Sequence, residues 1–266
     1  MLRLVLILCL MPVFAAAAEQ RELCHGQTPC IVGDRSYHVA EPEGWDGVSP
    51  LPVLMHFHGW KRQGTLIVRH DRIVSATSKR GVLLVAPNGR NRTWDFWASD
   101  SPDIPFARRV LEDVKARYPV DETRIFISGY SWGSNMAWRF VCHDGGDVAV
   151  LLGISGTLIA NKTCETAPGE VRQVYGLTDT VLPFPFGPDG DTGHAVRMWR
   201  DHLGCQTGEG QGEWRITELD LFTKTAWEEC GAGRVTLDTH PRGHFIPRGW
   251  IARQLDEVMG LELSYP

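Results

Sequence analysis

The sequence has no C-x-x-C pair, no long apolar run after its first residues, and no stripe of basic side chains. Each absence narrows what the chain can be. Without paired cysteines at ligand spacing, a structural metal site is not expected. Without a second apolar run of membrane length, no bilayer span is expected. Acids and bases are interspersed, with Lys and Arg at 27 against Asp and Glu at 32, so no nucleic-acid-binding face is expected. Linkers, internal repeats and low-complexity tracts are missing too, and the length suits one large domain or two small ones.

The apolar run that does exist is at the start. Arg3 supplies a positive charge, Leu4 to Phe14 an apolar core, and Ala16-Ala17-Ala18 a small-residue cleavage site. Residues 1–18 are therefore expected to be a signal peptide, with the exported product beginning near Glu19. One of seven cysteines, Cys9, falls in that segment, and Leu8 before it argues against a lipid anchor. The other six are Cys24, Cys30, Cys142, Cys164, Cys205 and Cys230. An even set in an exported chain reads as three disulfides. Order along the chain favours Cys24–Cys30, Cys142–Cys164 and Cys205–Cys230, since each closes a local loop. Sequons at Asn91 and Asn161 matter only in a glycosylating host.

Apolar runs bounded by Gly, Pro or Asn predict strands at 36–40, 52–57, 82–86, 124–128, 148–154, 171–175 and 234–238. Between them, Ile104–Tyr118 places Phe106, Val110, Leu111, Val114 and Tyr118 on one helical face, and Pro119 ends it. Residues 134–143, 194–203 and 251–259 are further expected helices. Strands alternating with helices predict an α/β fold with a mostly parallel central sheet covered on both faces, and a working site at the strands' carboxyl ends.

Gly129-Tyr130-Ser131-Trp132-Gly133 lies where such a strand turns into a helix. The G-x-S-x-G pattern there matches a nucleophile elbow, which holds a serine in a strained conformation with its hydroxyl exposed. A glycine-rich loop with a helix-capping serine would read the same way. Serine needs a base and a group that orients the base. His244 follows the last predicted strand in Pro241-Arg242-Gly243-His244-Phe245 and is the expected base, with His240 the alternative. His143 sits at the far end of the serine's helix, and His194 and His202 fall on a predicted solvated helix. Asp179 follows the strand at 171–175 and is the expected acid. Asp189 and Asp191 are alternatives in the same loop, though their Gly/Pro setting suits a turn. Backbone N–H groups of Trp132 and Trp60 are the expected oxyanion donors, the latter from His56-Phe57-His58-Gly59-Trp60. His58 is expected to brace that loop, and His56 to pack at a strand end. Trp94, Trp97 and Phe184 are expected to line a substrate pocket, alongside Phe96, Trp132 and Phe186.

These residues resemble the exported α/β-hydrolase esterases grouped with polyhydroxybutyrate depolymerases and feruloyl esterases. The match runs through Cys30 to Tyr37, His58-Gly59, Ala86-Pro87-Asn88-Gly89 with Trp94, Ala116 to Ile125 leading to Gly129-Tyr130-Ser131, Tyr175-Gly176-Leu177-Thr178-Asp179 with Leu182-Pro183-Phe184, and Gly243-His244-Phe245-Ile246-Pro247. The resemblance implies an α/β-hydrolase domain over 19–266 and a cofactor-independent serine esterase, extracellular or periplasmic. Ser131, Asp179 and His244 would be its triad, and its substrate a small or oligomeric hydroxybutyrate-type or feruloyl-type ester. Three departures stand out: Trp132 where a small or polar residue is commoner, Ser134 in place of a second glycine, and Tyr175 in place of a histidine leading the acid loop. A serine peptidase or a non-catalytic binding protein on the same scaffold are the alternatives.

Overall fold

A computed structural model describes residues 24–158 and 163–265. The expected signal peptide, the start near Glu19 and the sequon at Asn161 lie outside them. Strands are β1 (Cys30–Val32), β2 (Arg35–Ala40), β3 (Leu51–Phe57), β4 (Leu83–Pro87), β5 (Val120–Tyr130), β6 (Val150–Ile154), β7 (Glu170–Gly176), β8 (Glu209–Arg215), β9 (Leu221–Trp227) and β10 (Arg234–His240). Helices are α1 (Gly64–Ile67), α2 (Asp71–Ser78), α3 (Asp103–Arg117), α4 (Trp132–Asp144), α5 (Arg197–Leu203) and α6 (Trp250–Met259).

The strands form one sheet in the order β1-β2-β4-β3-β5-β6-β7-β10-β9-β8. From β4 to β10 the pairings are parallel, and antiparallel strands extend both edges. Every residue of β3, β4 and β6 is buried, as parallel strands covered on both faces require. Alternation sorts their side chains. Val53, Met55 and Phe57 join a core with Phe106 and Val110 of α3 and Phe140 of α4. Leu54 joins the opposite core with Ile73 of α2 and Leu255 of α6. The predicted α/β fold with a mostly parallel sheet is therefore the observed one. All three disulfides pair in the predicted order.

No element was expected where α1 and α2 lie, and two further regions differ from expectation. The hairpin β8–β9 carries no predicted strand: β8 (EGQGEWR) is an exposed edge, so it shows no apolar run. It separates β7 from β10 in sequence, but in the sheet β7 and β10 are neighbours, paired from Glu170 with Arg234 to Gly176 with His240. The helix predicted over 194–203 begins as a 3-10 turn, Thr192–Val196, and becomes α-helical only from Arg197.

The hairpin and α6 are held to β10 by buried polar groups. Asp238 of β10 accepts from the indole N–H groups of Trp214 and Trp250, both at 2.8 Å. Glu257 of α6 meets Arg172 of β7 at 2.5 Å, Arg253 at 2.7 Å and Lys224 of β9 at 3.1 Å. Burial alone would raise the Glu257 carboxyl, but Lys224 and Arg172 outweigh it and hold the group near 2, against an ordinary 4.5. A depressed carboxyl contributes stability above its unfolded value and loses it as pH falls through the folded one. Glu257→Gln is expected to cost about 2–3 kcal/mol at pH 7. In urea denaturation the gap from the parent should close as pH falls from 4.5 towards 2; a gap constant with pH would assign the cost to packing.

Candidate active site

At the carboxyl end of β5 the chain makes the turn the sequence predicts. Ser131 has φ 59° and ψ −125°, a region that side chains enter only when their surroundings force them. Space explains the two glycines. A Cβ on Gly129 would lie 2.1 Å from the Gly133 carbonyl oxygen, and one on Gly133 would lie 2.0 Å from that of Phe57 in β3. The Ser131 N–H donates to the Ile154 carbonyl at 2.9 Å, tying the elbow to β6.

Asp179 and His244 arrive from the adjacent ends of β7 and β10. Their loops are stitched together by Leu177 N–H to the His240 carbonyl, 2.8 Å, and by the Thr178 hydroxyl to the Pro241 carbonyl, 3.0 Å. Asp179 is buried, and its Oδ1 accepts backbone N–H bonds from Val181 at 2.9 Å and Leu182 at 3.0 Å. Its Oδ2 lies 2.5 Å from His244 Nδ1, and His244 Nε2 lies 2.8 Å from Ser131 Oγ. A carboxylate only accepts, so Nδ1 carries the proton and Nε2 presents its lone pair to the serine hydroxyl. The three residues singled out from the sequence thus form one hydrogen-bonded chain.

The alternatives lie elsewhere. His240 is buried between Phe222 and Phe245, ring centroids 5.9 and 5.0 Å away, and accepts the Arg242 N–H. Burial pushes it down to about 4, so it is neutral at pH 7. His240 and His244 stand four apart but face different ways. Among the described residues no group of three or more His, Cys, Asp or Glu side chains converges as metal ligands would. Asp191 caps the turn at Gly193, and Asp189 is exposed. His143 pairs with Glu165 at 3.0 Å on the far end of α4.

On the other side of Ser131 runs the loop after β3. A Cβ on Gly59 would touch Tyr130 and Ser131 at 3.3 and 3.6 Å, so this loop lies directly on the elbow. The backbone N–H groups of Trp60 and Trp132 have no hydrogen-bond acceptor among the described residues. Both predicted donors therefore stand unused beside the nucleophile. His58 braces the loop, as expected: its Nε2 accepts the Gly89 N–H at 3.0 Å, and burial pushes it down to about 4. His56 is fully buried behind the elbow, 3.0 Å from Ser128 Oγ, and burial pushes it to about 3.

The expected pocket aromatics separate. Trp94 is corrected: it is 0% exposed, and its indole N–H donates to the His58 carbonyl at 2.7 Å. It is an internal strut of the oxyanion loop and cannot reach a substrate. Trp97 is 56% exposed and stands edge-on to Trp132, centroids 5.6 Å apart. Phe96 and Trp60 contact the same ring at 5.6 and 5.7 Å. Phe184 is likewise buried, against Tyr175, and lines no open wall as expected of it; the exposed Phe186 ring packs on its other side.

Three further residues support the site. The Tyr130 hydroxyl donates to the His244 carbonyl at 3.1 Å, and its ring lies 4.9 Å from the imidazole. Its position as the variable residue of the motif carried no hint of this. Tyr175, where the resembling family has histidine, donates its hydroxyl to the Leu182 carbonyl at 3.0 Å and closes the acid loop. Ser134, where a glycine is common, bridges the Gly156 carbonyl at 2.6 Å and the Ile154 N–H at 3.1 Å.

No family model matches the chain. It is similar to a probable feruloyl esterase C of Aspergillus niger, 26% identical over 201 residues and 71% of each protein. It is 28% identical to feruloyl esterase C of Emericella nidulans over 163 residues, 59% of each. The chain thus spans between about three fifths and seven tenths of these relatives. Its fold matches an acetyl xylan esterase from Aspergillus awamori with TM-score 0.60 and 13% identity, covering 80% of this chain and 90% of that one. A Bacillus cereus carboxylesterase matches with TM-score 0.55 and 14% identity, covering 86% and 95%.

Gly133→Ala tests the elbow's geometry. The added methyl meets backbone on two sides, the Phe57 oxygen at 2.0 Å and the His58 oxygen at 2.6 Å. Neither can move without disturbing β3, so the variant is expected to lose about 3 kcal/mol or more. Thermal unfolding followed by circular dichroism reads this; a melting curve like the parent's would show that α4 can shift away from β3.

Proposed function

We propose that this chain, an α/β-hydrolase that cleaves carboxylic esters, works through Ser131, His244 and Asp179 by way of an acyl-enzyme. The observation that carries the proposal is the continuous hydrogen-bonded chain from Asp179 through His244 to a serine held at positive φ. His244 Nε2 takes the hydroxyl proton as Ser131 Oγ bonds to the ester carbonyl carbon. The carbonyl oxygen becomes an oxyanion between the Trp60 and Trp132 N–H groups. The intermediate collapses, the C–O bond to the alcohol breaks, and His244 delivers its proton to the leaving oxygen. Water then repeats the sequence: His244 removes its proton, the hydroxide oxygen joins the acyl carbon, and Ser131 recovers its proton as the acid departs. Asp179 keeps the imidazole in the productive tautomer and stabilises its cation.

For the substrate, the rings of Trp60, Phe96 and Trp97 around Trp132 favour a flat apolar or aromatic group next to the scissile carbonyl. A feruloyl-type ester fits that wall better than a hydroxybutyrate chain, and the relatives named feruloyl esterase agree with it. Three disulfides and the leader-like residues 1–18 support export. Residues 19–266 are read as one catalytic domain.

A fluorophosphonate probe should label the parent at Ser131 and leave Ser131→Ala unlabelled. That variant should lose about 10⁴- to 10⁶-fold in kcat on p-nitrophenyl butyrate, and Asp179→Asn about 10⁴-fold. Labelling or turnover that survives Ser131→Ala in a folded protein would refute the assignment. Among methyl ferulate, hydroxybutyrate oligomers and peptide amides, methyl ferulate is expected to give the highest kcat/KM.

A further inference from the structure

The rim of the site on the oxyanion side is cationic, although the chain as a whole is acidic, with formal charge −5. Two loops form this rim. The segment from His56 to His70 carries Lys61, Arg62 and Arg69 and no acid, and the segment from Pro87 to Trp94 carries Arg90 and Arg92 and no acid. Arg90 is neutralised by Asp34. Lys61, Arg62 and Arg92 are exposed and have no carboxylate partner among the described residues. Of the acids near this rim, Asp95 accepts the Ala98 N–H, Asp103 holds the buried Arg35, and Asp100 faces the pocket lined by Arg108 and Arg109.

These cations are also held in place. Lys61 and Arg92 have φ of 56° and 62°, and Asn91 between Arg90 and Arg92 has 50°. Three non-glycine residues in the left-handed region, in two loops that face each other, mark backbone that its surroundings constrain. The loops are joined by Arg92, whose Nη2 donates to the Lys61 carbonyl at 2.6 Å. Lys61 Nζ lies 4.3 Å from the centre of the Trp60 ring, which itself stands 5.7 Å from Trp132. Gly59, two residues before Lys61, lies against Ser131. The backbone that carries Lys61 and Arg92 is thus constrained one step outward from the loop after β3, on the rim of the aromatic wall.

We infer that the site selects esters bearing a carboxylate on the substrate, which Lys61, Arg62 and Arg92 attract while its apolar part rests on Trp132. This rests on the esterase reading above and specifies its substrate further. Such a carboxylate is supplied equally by a dicarboxylic half-ester or an acidic sugar. The cations would act on capture and orientation, because exposed charges of one sign raise the local concentration of an opposite-sign ligand and steer its approach.

The test uses two matched pairs: p-nitrophenyl hemiglutarate with p-nitrophenyl 5-methylhexanoate, and the butyrate esters of 4-hydroxybenzoate and of 4-isopropylphenol. Each pair exchanges a carboxylate for an isopropyl group of the same shape, one on the acyl side and one on the alcohol side. The readout is the ratio of kcat/KM, anionic over neutral, in variant against parent, so intrinsic leaving-group reactivity cancels. Lys61→Gln with Arg92→Gln should lower that ratio about tenfold for at least one pair, through KM. Lys61→Arg with Arg92→Lys should keep it. Arg62→Gln, which breaks no hydrogen bond, should lower it by a smaller factor and guards against misfolding of the double variant. In the parent, raising NaCl from about 20 to 500 mM should erode the preference. A ratio indifferent to substitution and to salt in both pairs overturns the inference. Absence of turnover of every neutral ester, with no fluorophosphonate labelling, would instead overturn the esterase reading beneath it.

Discussion

The seating of Gly133 against the end of β3, with no room for a side chain, is the contact on which the rest of the site's geometry depends. Because Gly133 has no side chain, the first turn of α4 sits directly on the Phe57 and His58 carbonyls. That contact does two things at once. It holds Ser131 at the apex of a turn that an ordinary residue would not adopt. It also presses the chain after β3 against the elbow, so that Gly59 touches Ser131 and the unbonded Trp60 N–H stands beside that of Trp132. Ser131 and the two unbonded N–H groups are thus positioned by one backbone contact, rigid because both partners are central parallel strands or rest on them.

The base and acid depend on a second constraint, the pairing of β7 with β10. In a parallel pair both strands end on the same side, so the loops after Gly176 and His240 emerge together. Register then distinguishes the two candidate histidines. His240 is still inside the ladder, opposite Gly176, with its ring seated where a Cβ on that glycine would approach it to 2.9 Å. It serves as a neutral, buried acceptor. Four residues later the chain has turned, and His244 meets Asp179 and Ser131. His56 and His58 are likewise buried and kept neutral at pH 7.

What could be read beforehand was whatever a local pattern encodes. The glycine spacing around Ser131, the apolar runs of β3, β4 and β6, and the loop positions of Asp179 and His244 are short-range signals. The direction in which a loop aromatic points is not such a signal. Trp94 and Trp97 stand three residues apart in one loop, yet Trp94 is sealed beneath His58 and Trp97 lies open beside Trp132. The supporting hydroxyls were hidden for the same reason. Tyr130 reaches His244 across 114 positions of chain, and only the fold brings them together. β8 was invisible because an exposed edge strand needs no apolar alternation, and its role, carrying Trp214 to Asp238, lies in a single buried bond.

The departures from the resembling family therefore differ in kind. Tyr175 and Ser134 replace other residues but close local hydrogen bonds within the acid loop and behind the elbow, so they conserve the machinery by other means. Trp132 does not. Its N–H stands unbonded beside Ser131 while its ring gathers Trp60, Phe96 and Trp97 into one wall. The cations Lys61 and Arg92 border that wall on its Trp60 side. Trp60 and Lys61 thus share one loop with the contact on Ser131, while Arg92 reaches that loop from the segment after β4. A change in the backbone of the Trp60 loop will therefore also shift Gly59 against Ser131.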